Sequence, residues 1–473
     1  MGRHTTFRYR LDPTVEQSVV LARHAGAARF AFNQCLRLHL DARREHAKDS
    51  GAQVPWSGFD LINVFNAWKR SDAAGRLFAV DGTGAVETVA TGLSWRTRVC
   101  QQVFEEAAVD LGKAIKAWTD SRKGKRAGKK AGHPRFKKKN PNHSSFRLRN
   151  KHPRNGRPAI RLGDTRPRSI TLPGIGTLRV HDDTRPLRRI LAKNRGKILF
   201  ATLSCHAGRW WVSLNVQAAD LHQAHHHSGI TPEAGATGWV GVDRGLSAPV
   251  VAATADGTEV LRVPAAPKAA KAAQPKTRRL SKAVSRKKKG SKNRAKAVTR
   301  LARHHERIRN RRQHFLHQAS NELAKTHARL AIEDLNVTGM LANHHLAAAI
   351  ADAAWAELAR QLAYKQSWRN GELVLVDRWF PSSKTCSQCG HARPGLGLGE
   401  RAYECGNCGL AIDRDLNAAA NLAAWAQKHH AQAPDPEARG RDTNARRHEG
   451  SGPRTSEDET IVNDAGTHDQ AAA

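Results

Sequence analysis

Two cysteine pairs near the C-terminus place the strongest constraint on how this chain can fold. Cys386 and Cys389 form one Cys-x-x-Cys motif, Cys405 and Cys408 form a second, and 15 residues separate the two. This spacing is typical of a zinc ribbon, in which four thiolates hold one ion. The alternative is two disulfides or buried thiols, which we disfavour because we expect no signal peptide. Four thiolates leave no open coordination position, so the predicted zinc is structural.

The net charge of the chain indicates the class of its partner. Its 473 residues carry a formal net charge of +37, and the sequence pI is about 10.8. Such a charge repels itself unless a polyanion neutralises it, so nucleic acid is the expected partner. A merely basic or ribosomal-type protein is the alternative. No apolar run approaches the ~20 residues of a membrane span, so we expect a cytoplasmic, nucleoid-associated protein with no membrane partner.

Two basic segments are candidates for contact with phosphates. Residues 121–139 hold ten Lys or Arg and no acid, and glycines interrupt them. Residues 281–315 carry fourteen Lys or Arg against one acid and predict part of a helical hairpin broken at Gly290. A solvated linker is the commoner explanation of such a charge run. The predicted phosphate contacts are Arg135, Lys137, Lys138, Arg286, Lys287, Lys288, Lys292 and Arg294.

Hydrophobic periodicity separates helical from β segments in the first half of the chain. The predicted helices cover 14–40, 57–70 and 94–119, with Thr14 and Ser94 as caps. From 158 to 217 the period changes to two, and two hairpins are expected, the second turning at 206–209. These strands predict a small β-barrel or sheet of about six strands, which an N-terminal strand completes and the helices interrupt.

Three carboxylates in the second half share a setting typical of catalysis. Asp243 and Glu333 each end an apolar strand, and Asp415 opens a helix just after the second cysteine pair. Strand ends of an α/β sheet bring distant residues together. Without a cation, three such carboxylates would repel one another, and Mg²⁺ removes that cost. Two Mg²⁺ ions held in this way can hydrolyse a phosphodiester bond.

Other acids compete for these roles, and a turn or cap is the commoner function of any single strand-end Asp. Asp334 follows Glu333 and so faces the opposite way on a strand. Asp377 lies inside a predicted strand. Asp413 precedes Asp415 by two residues, and either could cap the helix while the other binds metal. Spacing leaves those two alternatives open.

The chain resembles the TnpB family, the small RNA-guided nucleases of bacterial insertion sequences that were long named transposases. The resemblance covers nearly the whole chain. It rests on FRYRLDPTVEQ, RFAFNQCL, GHPRFKKKN, GVDRGL, AVSRKKKGSKNR, IEDLNVTGM, SSKTCSQCG, YECGNCG and DLNAAANL. One departure is Arg244, where the family usually has a small or aliphatic residue. We expect its side chain to reach a phosphate or to point to solvent.

The resemblance implies a multidomain α/β protein with a β-barrel. The implied domains are a wedge-type β-barrel at 1–12 and 121–218, a helical recognition lobe at 13–120, a linker at 219–236, a RuvC nuclease domain of RNase H-like fold at 237–380 and 410–430, a zinc ribbon inserted at 381–409, and a disordered tail at 431–473. It also implies that Asp243, Glu333 and Asp415 bind the catalytic metals, and it favours Asp415 over Asp413.

The same resemblance implies an activity and its partners. The protein would use a guide RNA transcribed from the end of its own element and cut double-stranded DNA beside a short flanking motif. A compact type V CRISPR effector and a guide-dependent regulator that does not cut are alternatives, and the intact acids argue against the regulator. A strand-joining transposase is a third, for which the chain offers no separate site with a catalytic Tyr and paired His.

Overall fold

The computed structural model describes residues 3–80, 82–126, 129–140, 143–151, 156–221, 223–227, 238–397 and 399–431. They belong to two compact units, the first ending at Ala219 and the second beginning at Asp220. The predicted tail beyond residue 431 and most of the predicted linker lie outside the described residues. No helix in these described ranges combines the length and the apolar character that crossing a membrane requires.

The first unit begins with a strand that runs into a long helix. Thr14 caps that helix as predicted, and Gln17 bonds back to the backbone of Thr14 to complete a capping box. The third helix begins at Gln101 instead of near Ser94, because a short 3₁₀ turn occupies 96–98. The elements are β1 (Arg3–Asp12), α1 (Val15–His46), α2 (Gly58–Trp68), β2 (Arg76–Val80), β3 (Val86–Thr91), α3 (Gln101–Arg122), β4 (His143–Arg149), β5 (Arg161–Leu162), β6 (Ser169–Leu172), β7 (Gly176–Val180), α4 (Arg185–Ala192), β8 (Gly196–His206) and β9 (Arg209–Ala218).

Seven of these strands form one antiparallel sheet in the order β4-β8-β9-β1-β7-β6-β5. β1 joins its two parts, since residues 3–10 pair with β9 while Leu11 and Asp12 pair with β7. The predicted turn at 206–209 is confirmed, and Ala207 and Gly208 both adopt positive φ there. Within the described residues β4 and β5 are the two edge strands of this sheet and do not pair with each other, so the expected closed barrel is not found. The β2–β3 hairpin lies between the helices predicted at 57–70 and 94–119, inside the segment that the resemblance implies to be a helical lobe.

The helices of the first unit share a core with the sheet. Leu36 of α1 and Leu111 of α3 belong to the same buried cluster as Leu203 of β8 and Leu214 of β9. Because burial of apolar side chains is the main favourable term in folding, these helices and strands stabilise one another. The helical segment therefore folds as part of the sheet's own hydrophobic core.

The second unit is a mixed α/β fold. Its basic hairpin is formed as predicted and turns near Gly290, whose φ is +84°. Ala354 adopts φ +54° and separates the helix at Ala347–Ala353 from the helix at Trp355–Trp368. The elements are β10 (Trp239–Asp243), β11 (Val250–Thr254), β12 (Glu259–Val263), α5 (Ala269–Ser285), α6 (Lys292–Thr326), β13 (Arg329–Glu333), α7 (Val337–Met340), α8 (Ala347–Ala353), α9 (Trp355–Trp368), β14 (Glu372–Val376), β15 (Ala402–Glu404), β16 (Ala411–Asp413) and α10 (Arg414–Ala431).

Five strands form its sheet in the order β12-β11-β10-β13-β14, with β10, β13 and β14 parallel and the other pairings antiparallel. Side chains alternate across the sheet. Val242 packs with Leu323 of α6 and Leu362 of α9 on one face, while Trp239 packs with Leu422 of α10 on the other. Both faces are covered by helices, and the core residues of the parallel strands are correspondingly apolar.

The helix α10 lies unusually close to β10. Its face toward the sheet is made of small residues, and Ala419, Ala420 and Ala423 are fully buried. A Cβ built on Gly241 would lie 1.9 Å from the carbonyl oxygen of Ala419. Only glycine permits this approach of a helix backbone to a strand. The close packing fixes the N-terminus of α10, which carries Asp415, beside the end of β10.

Candidate active site

The ends of β10 and β13 lie side by side at one edge of the sheet in the second unit. The strands are parallel with Val242 opposite Ile332, so Asp243 and Glu333 follow at neighbouring positions. Asp415 lies in the first turn of α10, which packs on β10 and β11. The structure therefore brings together the three carboxylates that the sequence singles out.

These carboxylates interact through their charges. Burial and, to a smaller extent, the nearby carboxylates of Asp415 and Glu333 together raise the pKa of Asp243 to about 7. Burial also raises the pKa of Glu333, although the Ser382 hydroxyl donates a hydrogen bond of 3.1 Å to its Oε1 and opposes the shift. For Asp415 burial and the charge of Asp413 both raise the pKa. Such crowding is unfavourable without a cation and favours binding of one.

Asp413 has a separate role at the start of α10. Its Oδ1 accepts hydrogen bonds from the backbone N–H groups of Asp415 (3.1 Å) and Leu416 (3.0 Å). The guanidinium of Arg262 also donates to this oxygen, at 3.1 Å. Asp413 thus caps the helix and is neutralised by an arginine, whereas Asp415 is the acid electrostatically coupled to Asp243.

The expectation that Arg244 reaches a phosphate or points to solvent is wrong. The residue is buried, and its guanidinium donates to the backbone carbonyl of Trp355 at 3.1 Å and to that of Glu333. Burial lowers its pKa to about 10, so it stays charged at neutral pH. Neighbouring strand residues face opposite sides, so Arg244 turns away from Asp243 and instead links the ends of β13 and α9.

The four cysteines form a metal-binding geometry. The Sγ atoms of Cys386 and Cys408 lie 3.6 Å apart, as do those of Cys389 and Cys405, and none of the four is in a disulfide. A tetrahedral zinc with Zn–S bonds of about 2.3 Å has S–S edges of about 3.8 Å, which these distances approach. Among the described residues, the four cysteines are the one group of three or more His, Cys, Asp or Glu whose ligand atoms all lie within 4.8 Å of one another. The carboxylate oxygens of Asp243, Glu333 and Asp415 are therefore spaced more widely than that.

The two cysteine loops share one backbone pattern. In each loop, the backbone carbonyl of the first cysteine accepts a hydrogen bond of 3.0 Å from the N–H of the glycine four residues later, Gly390 or Gly409. Both glycines have positive φ. Each first cysteine also donates its own N–H, at 2.9 Å, to a carbonyl five residues on. The glycines let the chain turn back around the thiolates.

Two asparagines of α10, which the sequence analysis did not single out, attach this helix to the ribbon. Asn417 donates to the carbonyl of Thr385 at 2.7 Å and accepts from the N–H of Ser387 at 2.9 Å. Asn421 donates to the carbonyls of Ser382 and Thr385 at 2.7 and 2.6 Å. Their spacing of four residues in DLNAAAN places both on one helix face, and this spacing was the available signal.

The predicted phosphate-contacting residues lie on exposed loops and helix ends, with two qualifications. Lys137 has its ammonium 3.8 Å from the ring centre of Phe32, and its backbone pairs with the side chain of Asn33. Arg294 donates to the carbonyls of Val284 and Lys287 at 3.1 and 3.2 Å and so closes the α5–α6 turn. The exposed members are Arg135, Lys137, Lys138, Arg286, Lys287, Lys288 and Lys292.

Comparison with known proteins identifies the family. Family models described as "Probable transposase", "Cas12f1-like, TNB domain" and "Helix-turn-helix domain" match residues 220–344, 355–422 and 1–48. A protein of Mycobacterium tuberculosis named "Putative RNA-guided DNA endonuclease" is 34% identical over 426 residues, which are 89% of this chain and 86% of that protein. The chain belongs to the TnpB family. The resemblance read from the sequence motifs is thereby confirmed.

Further similarities of this TnpB-family chain differ in strength. The "Putative RNA-guided DNA endonuclease InsQ" of Escherichia coli K12 is 28% identical over 440 residues, covering 90% of this chain and 92% of that protein. A solved complex of Cas12f1 with single-guide RNA and target DNA aligns with a TM-score of 0.44 at 14% identity, covering 89% of this chain and 99% of that one. A score at that level adds nothing to the assignment. The residues matching the helix-turn-helix family form β1 and α1 here.

Proposed function

We propose that this protein is an RNA-guided DNA endonuclease of an insertion sequence. The observation that carries the proposal is the coupling of Asp243, Glu333 and Asp415 at one sheet edge in a TnpB-family chain. Relatives named as RNA-guided DNA endonucleases align over most of their length and support the same reading. The net charge of +37 is suited to a protein that holds both RNA and DNA.

The three carboxylates are proposed to hold two Mg²⁺ ions. Hard oxygen ligands and a pKa raised by carboxylate crowding fit such a cation. Carboxylates that share two ions ~3.5–4 Å apart lie farther from one another than carboxylates that bind a single ion. The spacing of these three acids agrees with the two-ion arrangement. When bound, the metals would activate water and stabilise the leaving oxygen of the phosphodiester. Ser382 orients Glu333, and Asp413 with Arg262 orients the first turn of α10.

The four cysteines are proposed to bind one structural zinc. The metal would fix the positions of both cysteine loops. The hydrogen bonds from Asn417 and Asn421 to Thr385 would then hold α10, and with it Asp415, in place. On this account the ribbon supports the RuvC-type site without entering the chemistry.

The domain assignment and the nucleic-acid contacts are part of the same proposal. The wedge-type domain would comprise 1–12 and 121–218, the recognition lobe 13–120, and the RuvC nuclease domain of RNase H-like fold 237–380 with 410–430. The exposed cations at Arg135 and Lys138, and those around the α5–α6 turn, would contact phosphates of guide RNA or target DNA. We place the activity in the bacterial cytoplasm, on DNA beside a short flanking motif.

Retargeting tests this function. The full chain is expressed with RNA from the end of its element, the co-purifying RNA is sequenced, and its guide segment is replaced with an unrelated sequence. Cutting of plasmids that carry the new match beside a randomised flank is expected, and the flanks depleted from the surviving plasmids give the motif. Guided binding without cutting would indicate a non-cleaving regulator, and absence of bound RNA would refute the proposal.

A further inference from the structure

Trp379 has the most exposed large apolar side chain among the described residues. Its side chain is 85% exposed, whereas Trp239, in β10 of the same unit, is fully buried. Exposing an indole ring to water is unfavourable, and single-stranded nucleic acids bind to such rings by stacking their bases on them. The exposure of this ring therefore suits it to stacking with a base.

The turn that carries Trp379 is held rigidly. It follows β14, and the Asp377 side chain accepts the N–H of Trp379 at 2.8 Å while the Asp377 carbonyl accepts the N–H of Phe380 at 3.0 Å. The next side chain, Phe380, packs against Trp425 in the core beneath. An Asx-type turn anchored by a half-buried aromatic residue presents the ring at a fixed place.

Both sides of this turn are bonded to acids at the end of β13, Glu333 in the strand and Asp334 just after it. On one side, Arg378 forms an ion pair of 2.5 Å with Asp334. On the other, the Ser382 hydroxyl donates to Glu333 at 3.1 Å. Trp379 is three residues from Ser382, so their Cα atoms are separated by at most about 11 Å. A base on the ring would therefore lie within reach of the carboxylate edge.

We propose that Trp379 is a stacking platform for an unpaired nucleobase of the DNA strand that enters the carboxylate site. This proposal rests on the proposed function and adds to it a positioning residue for the strand to be cut. The base would be sequence-tolerant, because every base has a π face.

Photocrosslinking tests the platform independently of cutting. The full chain with its co-purifying RNA, in buffer without Mg²⁺, is mixed with single-stranded DNA carrying 5-iododeoxyuridine and irradiated at a wavelength absorbed by that base. Salt is raised to weaken phosphate contacts while stacking persists. We expect a crosslinked peptide containing Trp379. Crosslinks confined to other peptides would overturn the proposal whether or not the protein cuts DNA.

Substitutions then separate stacking from simple apolar contact. Trp379→Phe keeps a π face, whereas Trp379→Leu keeps only apolar area. With target DNA, Trp379→Leu should raise KM for cutting roughly 5- to 150-fold, with Trp379→Phe close to wild type. An abasic nucleotide at the crosslinked position should abolish the difference between the variants. Equal KM values for Trp379→Leu and wild type, with zinc content and thermal unfolding unchanged, would refute the stacking role of Trp379. That result would not contradict the proposed nuclease function.

Discussion

Substitution of Gly241 by alanine tests the most specific packing relationship in the fold. The new Cβ would lie 1.9 Å from the Ala419 carbonyl oxygen, 2.6 Å from the Ala423 nitrogen and 2.9 Å from the Leu422 Cβ, whereas contacts below 3.0 Å are essentially never seen. Since two of these are backbone atoms, no rotamer relieves the clash, and α10 must move by about 1 Å.

Two effects of that movement can be estimated. Overpacking of this kind costs up to about 3 kcal/mol of unfolding free energy, which lowers the Tm of a unit this size by about 6–12 °C. A displacement of about 1 Å at Asp415 should reduce guided cutting by about 100-fold. Thermal unfolding and single-turnover cleavage measure the two effects separately.

A matched variant controls for the added methyl group. Gly395 also lies in the second unit, and a Cβ there meets nothing within 4 Å. Gly395→Ala should leave Tm and cutting almost unchanged. The packing argument would be refuted if Gly241→Ala were as stable and as active as Gly395→Ala.

Three further predictions concern the acids and the ribbon. Asp413→Ala should cost about 1 kcal/mol of stability through the lost cap, with residual cutting, whereas Asp415→Asn should abolish cutting without lowering Tm; the reverse pattern would exchange their roles. The folded-state pKa of Asp243, about 7, lies above its unfolded value of about 3.9, so in buffer without Mg²⁺ its contribution to stability falls as pH rises between these values. Urea unfolding should therefore show Asp243→Asn gaining stability over wild type across that range, and an equal gain at every pH would contradict this. Cys389→Ser should reduce the zinc content below one per chain and lower both Tm and cutting, and a zinc-free protein of unchanged Tm would disprove the structural role.

The sequence was sufficient to predict the ends of the central strands. Because parallel strands share an edge, Asp243 and Glu333 could be placed together from two apolar runs that each end in an acid. The cysteine spacing likewise predicted a cluster that the structure shows. Asp415 was harder, since capping by Asp413 depends on hydrogen bonds and on Arg262, which is 151 residues away in sequence.

Other features depended on long-range packing that local patterns do not encode. Whether seven strands close into a barrel is decided by pairing between β4 and β5, which periodicity does not specify. The glycine inside GWVGVD was a readable signal of a close backbone approach, but it did not identify α10 as the partner. Arg244 was misjudged because strand alternation turns it into a buried position beneath α9.

The role of the three carboxylates is tested by measuring guided DNA cleavage as a function of Mg²⁺ concentration for wild type, Asp243→Asn and Asp256→Asn. Asp256 is an exposed acid in the β11–β12 turn of the same unit and serves as the control. We expect wild type and Asp256→Asn to cut only when Mg²⁺ is present, and Asp243→Asn to bind guide and target without cutting at any Mg²⁺ concentration. Cutting by Asp243→Asn at the wild-type rate, or undiminished cutting in EDTA, would contradict the assignment of these carboxylates as the metal-dependent active site.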